Sequence, residues 1–222
     1  MDQPTHPIDW REGRVPVSRR FADPFYSLEN GLEETRHVFL AGNGLPARFA
    51  PGFHIAELGF GTGLNLVAAA LAWEAAGMPG ALGFTSFEAF PLAGDDIRAA
   101  LAAFPEAAPL ADAIAAALEG DGRIETPMLS ARIIPGDARA TVPAWDGRAD
   151  AWFLDGFAPA RNPELWEPAL MRAVAGHTVP GGTCATYSAA GAVRAALAEA
   201  GFAVARVPGY GRKRHMTTGR LA

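Results

Sequence analysis

A glycine-rich turn between a strand and a helix is the feature that most constrains the fold of this chain. Residues 53–58 are apolar enough to form a short buried strand, and the run GFGTG at residues 59–63 follows directly. A helix comes next, with Leu66, Ala70 and Trp73 as its apolar residues. Glycines at such a turn permit positive φ angles and let the backbone approach a ligand closely. This order is typical of α/β folds that bind a nucleotide-like ligand.

The same alternation of strands and helices continues along the chain. Further strands are predicted at residues 83–89, 130–134, 149–154 and 183–187, and residues 202–207 and 215–221 predict an antiparallel hairpin. Strands separated by helices form a mostly parallel sheet with helices on both faces. The 222 residues are 50% hydrophobic and 19% charged, which suits one globular domain and excludes disorder. No apolar run approaches the roughly 20 residues of a membrane span, so we expect no membrane partner.

Acidic residues follow four of the predicted strands. Glu57 and Glu88 end the first two strands, Asp137 follows the third, and Asp155 ends the fourth. Ligands of parallel sheets bind at the carboxyl ends of the strands, so we expect these four residues along one edge. Glu88 suits the two hydroxyls of a ribose, and Asp137 suits an adenine amino group. The edge therefore predicts a nucleoside site.

The residues around the turn distinguish between two classes of ligand. A dinucleotide loop requires a small residue at its sixth position, but that position is Leu64 counted from Gly59 and Leu66 counted from Gly61. Glu57, two residues before the first glycine, favours a cationic ligand over a pyrophosphate. The amino group and sulfonium of S-adenosylmethionine fit that requirement. A tight turn that binds no ligand is the alternative interpretation.

Several blocks of the sequence resemble a known family. The turn and strand order over about residues 53–222 are similar to the class I S-adenosylmethionine-dependent methyltransferases. More specific blocks are similar to the MnmC-type tRNA-modifying methyltransferases: DPFYS at 23–27, NGLEETR at 30–36, GFGTGLN at 59–65, DGFAPARNP at 155–163 and GYGRKR at 209–214. The resemblance implies a Rossmann-like α/β fold with a mostly parallel seven-stranded sheet and a C-terminal antiparallel hairpin. It also implies methylation of the exocyclic amine of 5-aminomethyl-2-thiouridine at the tRNA wobble position.

The resemblance and the strand order together assign roles to individual residues. We expect Asp155 to be the catalytic residue, which holds the substrate amine and accepts its proton. We expect the methyl donor to contact Tyr26, Glu57, Gly59, Gly61, Gly63, Asn65, Glu88, Asp137 and Ala138. We expect the substrate RNA to contact Phe157, Arg161, Arg212, Lys213 and Arg214. Donor and acceptor would thus meet at one edge of the sheet.

The charge and the cysteine content limit the expected partners and cofactors. The net charge of −5 opposes general nucleic-acid binding, so the cations near residues 212–214 predict only a local phosphate-binding rim. The tRNA anticodon region is the expected partner, and S-adenosylmethionine the expected cofactor. A single cysteine, Cys184, excludes a multi-cysteine metal site, and we expect neither a metal nor FAD. The polar N-terminus predicts a cytoplasmic protein.

The domain organisation and two other functions complete the expectations. Residues 1–50 are predicted to form an N-terminal extension that packs on a methyltransferase domain at residues 51–222, and residues 1–22 show no periodicity and predict a surface arm. Some family members carry a second, flavin-dependent oxidase domain, whereas we expect a stand-alone methyltransferase supplied with its amine by a separate enzyme. One alternative is a methyltransferase for a small-molecule or protein amine. Another is a nucleotide-binding regulator or dehydrogenase.

Overall fold

Two sheets organise the part of the chain that the computed structural model describes, which is residues 7–12, 15–27 and 30–222. The smaller sheet is antiparallel and contains β1 (Ile8–Arg11), β2 (Val15–Ser18) and β3 (Asp23–Pro24) in that order. Residues 8–11 and 15–18, which lie in the stretch predicted as a surface arm, form paired strands; residues 1–6, 13 and 14 lie outside the described part. Strands of four residues are too short to give a readable periodicity.

The larger sheet contains eight strands. They are β4 (His54–Leu58), β5 (Leu82–Glu88), β6 (Arg123–Glu125), β7 (Leu129–Pro135), β8 (Ala149–Leu154), β9 (Thr178–Thr186), β10 (Phe202–Pro208) and β11 (His215–Leu221). Their order is β10-β11-β9-β8-β4-β5-β7-β6, and the five strands from β9 to β7 are parallel. The chain adds β5 and β7 on one side of β4 and places β8 on the other. A ligand crevice is expected where this order reverses, between the carboxyl ends of β4 and β8.

The sheet confirms the predicted α/β fold but has one strand more than the predicted seven. The extra strand is β6, which pairs antiparallel with β7 at the edge of the sheet. Only Ile124 of its three residues is buried, so no apolar pattern marks this strand in the sequence. The predicted C-terminal hairpin is confirmed, because β10 and β11 pair antiparallel along seven residues each.

Helices cover both faces of the larger sheet. The α-helices are α1 (Gly31–Thr35), α2 (Leu64–Ala75), α3 (Gly94–Leu101), α4 (Ala108–Glu119), α5 (Ala138–Thr141), α6 (Pro168–Gly176) and α7 (Gly191–Glu199). Alternate residues of β8 enter two separate cores: Phe153 packs in one, and Trp152 and Leu154 in the other. α1 continues into a π-helical segment, Arg36–Leu40. Within the described residues, no helix combines the length and apolar character needed to span a membrane.

Candidate active site

A cavity of about 1050 Å³ opens at the carboxyl edge of the larger sheet. The turns after β4, β5, β7 and β8 line it, together with residues 20–27 and the turn between β10 and β11. The predicted site residues on its wall are Tyr26, Gly59, Gly61, Asn65, Glu88, Asp137, Ala138, Asp155, Phe157, Arg161, Arg212 and Lys213. Glu57, Gly63 and Arg214 are not on this wall. The structure therefore brings most of the predicted residues to one place and sets three of them apart.

The glycine turn runs directly against the end of β8. Gly59 has a φ of +80°, and its N–H donates to the carbonyl oxygen of Phe87 over 2.9 Å. A Cβ at Gly59 would lie 3.1 Å from the carbonyl oxygen of Asp155. Gly63 has a φ of +79° at the start of α2, where the ring of Phe60 fills the space of a Cβ. Gly59 thus permits the approach of two strand ends, and Gly63 permits packing behind the turn.

Asn65 connects two of the predicted acidic residues. Its Nδ2 donates to Oε1 of Glu57 and to Oδ2 of Asp155, both over 2.8 Å. Its Oδ1 accepts a hydrogen bond from the hydroxyl of Thr35 over 2.9 Å, which fixes the orientation of the amide. Ser86 donates to the other oxygen of Glu57 over 2.6 Å. Glu57 is fully buried, so its connection to the cavity runs through Asn65.

Burial raises the pKa of both carboxyl groups. The pKa of Glu57 lies well above its ordinary value because the charge is removed from water, although the hydrogen bonds from Ser86 and Asn65 lower it. Burial also raises the pKa of Asp155 to about 6, against the hydrogen bonds from Asn65 and from the N–H of Gly156. Asp155 faces the cavity and titrates near neutral pH. A carboxyl group that faces the cavity and has a pKa in this range is suited to accepting and releasing a proton.

Glu88 and Asp137 line the cavity beyond β5 and β7. Glu88 accepts hydrogen bonds from the N–H groups of Gly61 over 3.0 Å and Phe90 over 2.7 Å, and burial raises its pKa. Asp137 is exposed, caps the start of α5 and binds Arg139 at 2.6 Å, a hydrogen bond that lowers its pKa. The carboxylate of Glu88 is therefore fixed beside the glycine turn, whereas both oxygens of Asp137 bind Arg139.

Residues 20–27 cover one side of the cavity. The ring of Phe21 stacks on that of Phe157, with centroids 4.6 Å apart and an interplanar angle of 26°. Asp23 accepts a hydrogen bond from the N–H of Ala158 over 3.1 Å, and Arg161 donates to the carbonyl oxygen of Phe21 over 3.0 Å. The loop after β8 and the N-terminal segment therefore form one wall. Phe157 and Arg161, predicted to contact substrate, hold this wall together.

Tyr26 lies on the same wall, but its hydroxyl is directed at a helix. The hydroxyl donates to the carbonyl oxygen of Ala100 in α3 over 3.1 Å, and the ring packs edge-on against Phe104. Burial raises the pKa of Tyr26 to about 12. A contact of this hydroxyl with the methyl donor stays a prediction.

Two residues that the sequence analysis did not assign, Glu34 and Tyr187, contact Lys213 on the cavity wall. Nζ of Lys213 lies 2.8 Å from Oε1 of Glu34 and 4.0 Å from the ring centroid of Tyr187. The hydroxyl of Tyr187 donates to the carbonyl oxygen of Gly156 over 2.5 Å. The block NGLEETR contained the signal for Glu34. The sequence predicts Tyr187 as the last residue of a strand, and that position carries no signal for the contact of its ring.

Exposed cations border the acidic interior of the cavity. Arg161, Arg212, Lys213 and Arg214 are all exposed. Among residues 7–12, 15–27 and 30–222, no group of three or more His, Cys, Asp or Glu side chains is placed to hold a metal ion. Cys184 is buried inside β9, which raises its pKa to about 12.

A mostly parallel sheet with a glycine turn after β4, a carboxylate at the end of β5 and another carboxylate at the crevice after β8 is typical of a class I methyltransferase. A family model described as S-adenosyl-L-methionine-dependent methyltransferase matches residues 102–222, more than half of the chain. The chain belongs to this family. S-adenosylmethionine is therefore its methyl donor.

Relatives in this family support the resemblance found in the sequence. The "tRNA 5-methylaminomethyl-2-thiouridine biosynthesis bifunctional protein MnmC" of Pseudomonas paraeruginosa (strain DSM 24068 / PA7) is 47% identical over 224 residues, which cover 96% of this chain and 34% of that protein. The protein of the same name from Caulobacter vibrioides is 44% identical over 217 residues, or 94% of this chain and 37% of that protein. The chain thus spans about a third of the length of these curated relatives.

Solved structures give the same result. The crystal structure of MNMC2 from Aquifex aeolicus matches with a TM-score of 0.73 and 26% identity, covering 99% of this chain and 72% of that chain. A spermidine synthase in complex with a transition-state analogue is 12% identical with a TM-score of 0.61, covering 100% of this chain and 72% of that chain. The second likeness concerns the fold alone. The resemblance to the MnmC-type methyltransferases is confirmed.

Proposed function

We propose that this protein transfers a methyl group from S-adenosylmethionine to the exocyclic amine of 5-aminomethyl-2-thiouridine at the wobble position of tRNA. The observation that carries the proposal is the position of Asp155, a carboxylate with a pKa raised to about 6 beside the glycine turn. The names of the MnmC relatives supply the substrate, because they refer to 5-methylaminomethyl-2-thiouridine biosynthesis.

The residues of the cavity fit the methyl donor. The backbone of Gly59 and Gly61, which a ligand can approach closely because glycine has no Cβ, would border its methionine part, and the carboxylate of Glu88 would accept from its ribose hydroxyls. Ala138 and Asp137 would border the adenine, with Arg139 giving up part of its hold on Asp137. Glu57 acts beneath the turn, through Asn65. When bound, the donor supplies a methyl group on a positively charged sulfur.

Asp155 deals with the acceptor, whose amine is protonated in water and nucleophilic only as the free base. The carboxylate takes a proton from the ammonium group, which leaves a lone pair on nitrogen. A bond then forms from nitrogen to the methyl carbon while the carbon–sulfur bond breaks and sulfur keeps the electron pair. The product is a secondary ammonium group and S-adenosylhomocysteine. Asn65 and Gly156 hold the carboxylate in place during these steps.

The surroundings of Asp155 suit a uridine at the end of an RNA loop. Phe157 would border the base, and the rim of Arg161, Arg212, Lys213 and Arg214 would contact phosphates. We propose the tRNA anticodon region as the partner, in the cytoplasm, with another enzyme activity producing the amine. We further propose that residues 1–50 form an extension that packs on a methyltransferase domain at residues 51–222.

A second candidate function keeps the donor site and changes the acceptor. The net charge of −5 favours a small-molecule or protein amine over a polyanion. The two candidates share every residue proposed for S-adenosylmethionine, so only the acceptor separates them.

Nucleoside mass spectrometry of tRNA tests the proposal in cells. We expect deletion of the gene to remove 5-methylaminomethyl-2-thiouridine and to leave its unmethylated precursor. Restoring the wild-type gene returns the modification, whereas Asp155→Ala does not. Asp146→Ala is the matched control, because Asp146 is exposed and outside the cavity wall. Unchanged tRNA in the deletion strain, with no second enzyme present, would favour the small-molecule or protein amine.

A further inference from the structure

A lysine ammonium group occupies part of the cavity, and its surroundings point to the subsite for the acceptor. Nζ of Lys213 binds Oε1 of Glu34 over 2.8 Å and lies 4.0 Å from the ring centroid of Tyr187. The side chain of Glu34 is 14% exposed, whereas that of Lys213 is 47% exposed. A lysine from the turn between β10 and β11 therefore reaches inward to a carboxylate that lies deeper.

The two groups around this ammonium, the carboxylate of Glu34 and the ring of Tyr187, are of the kinds that recognise a cationic ligand. A carboxylate accepts its N–H bonds, and the face of an aromatic ring attracts its charge. The hydroxyl of Tyr187 donates to the carbonyl oxygen of Gly156, the residue that follows Asp155, which places Tyr187 near Asp155 in space. The Lys213 ammonium lowers the pKa of Asp155 and the Glu34 carboxylate raises it, so the three charges interact.

We propose that Glu34 and the face of Tyr187 form the subsite for the ammonium group of the substrate, and that Lys213 fills this subsite until RNA binds. The inference rests on the proposed function, because it takes the amine on the wobble uridine as the acceptor. On binding, Lys213 turns outward to an RNA phosphate, and the substrate ammonium replaces it beside Asp155. One cation replaces another, so the charge of the subsite is conserved.

Binding of two tRNAs that differ only in the amine tests this exchange. One tRNA carries 5-aminomethyl-2-thiouridine at the wobble position and the other carries 5-methyl-2-thiouridine, and the ratio of their Kd values isolates the amine. We expect the wild-type protein to prefer the first by about tenfold or more, the range of a hydrogen bond to a charged group. Glu34→Gln brings the ratio close to one. Lys213→Met weakens binding of both tRNAs through a lost phosphate contact, but keeps or increases the ratio.

Matched variants separate recognition from folding. Tyr187→Phe keeps the aromatic face and the ratio, whereas Tyr187→Leu lowers the ratio. Arg206→Met removes a charge from an exposed position of β10 outside the cavity wall, and leaves the ratio unchanged. A rise in Tm with S-adenosylmethionine shows that each variant is folded. If Glu34→Gln does not show that rise, Tyr187→Leu carries the test.

Several outcomes would overturn the subsite. One is a folded Glu34→Gln or Tyr187→Leu variant whose ratio of Kd values equals that of the wild-type protein. Another is a ratio in Lys213→Met that is as low as the ratio expected for Glu34→Gln. If the wild-type protein itself shows a ratio of Kd values near one but still methylates the tRNA, the subsite is overturned and the proposed function stands. Wild-type protein that binds S-adenosylmethionine but never methylates the aminomethyl tRNA would overturn the proposed function instead.

Discussion

Replacing Asn65 by leucine should shift the pH dependence of catalysis, because its amide donates to both Glu57 and Asp155. Each of these hydrogen bonds goes to a carboxyl group, and such bonds stabilise by about 1.5–3 kcal/mol. Asn65→Leu removes both, so we expect the free energy of unfolding to fall by about 3 kcal/mol. The hydrogen bond from Asn65 lowers the pKa of Asp155. Its loss therefore raises that pKa, by about one unit for each 1.4 kcal/mol.

The assay is kcat as a function of pH with saturating S-adenosylmethionine and tRNA. Because we propose that Asp155 acts as a carboxylate, we expect wild-type activity to fall as pH drops through about 6. In Asn65→Leu we expect this fall at a pH about one unit higher. Thr35→Val is the matched control, because Thr35 binds only the amide oxygen and both bonds to carboxylates remain. An acid limb that does not move in Asn65→Leu, while activity persists, would refute the role of Asn65 in holding Asp155.

Three further predictions follow from the site. Asp155→Ala should keep the rise in Tm that S-adenosylmethionine produces, which corresponds to about 2.7 kcal/mol of stabilisation when the donor is at a hundredfold excess over its Kd. The same variant should lose most methyl transfer. Retained turnover would remove Asp155 from the mechanism. Gly59→Ala should weaken binding of the donor and lower the free energy of unfolding in urea by about 1–3 kcal/mol. The reason is that Gly59 has a φ of +80° and the Cβ of an alanine would meet Asp155. Wild-type values for both quantities would contradict this. The raised pKa values of Glu57, Glu88 and Asp155 mean that the folded protein binds protons more tightly than the unfolded chain. The contribution of these three groups to the free energy of unfolding should thus be greatest below about pH 4, and it should fall as pH rises through about 6. Glu57→Gln should flatten that fall in urea titrations at several pH values, and an unchanged slope would contradict the argument.

The main sheet and the positions at its strand ends could be predicted from the sequence. Glycine turns and apolar runs are local signals, and the ends of parallel strands must share one edge. Glu88 and Asp155 were expected at strand ends and line the cavity. The short strands β1, β2 and β6 could not be predicted, because three or four residues give no periodicity.

Contacts within the site could not be predicted in the same way. Glu34 and Lys213 are 179 residues apart in the chain, and only the tertiary fold brings them together. Glu57 was expected at the ligand, but the helix that follows the turn places Asn65 between its carboxylate and the cavity. Both facts depend on tertiary packing rather than on local pattern.

Transfer of a labelled methyl group by the purified protein tests the central claim most directly. The protein is incubated with S-adenosylmethionine carrying a deuterated methyl group and with tRNA containing 5-aminomethyl-2-thiouridine, and the digested nucleosides are analysed by mass spectrometry. The account predicts the deuterated label in 5-methylaminomethyl-2-thiouridine, with none formed by Asp155→Ala. Label in a different nucleoside, or no label in tRNA from protein that binds the donor, would contradict it.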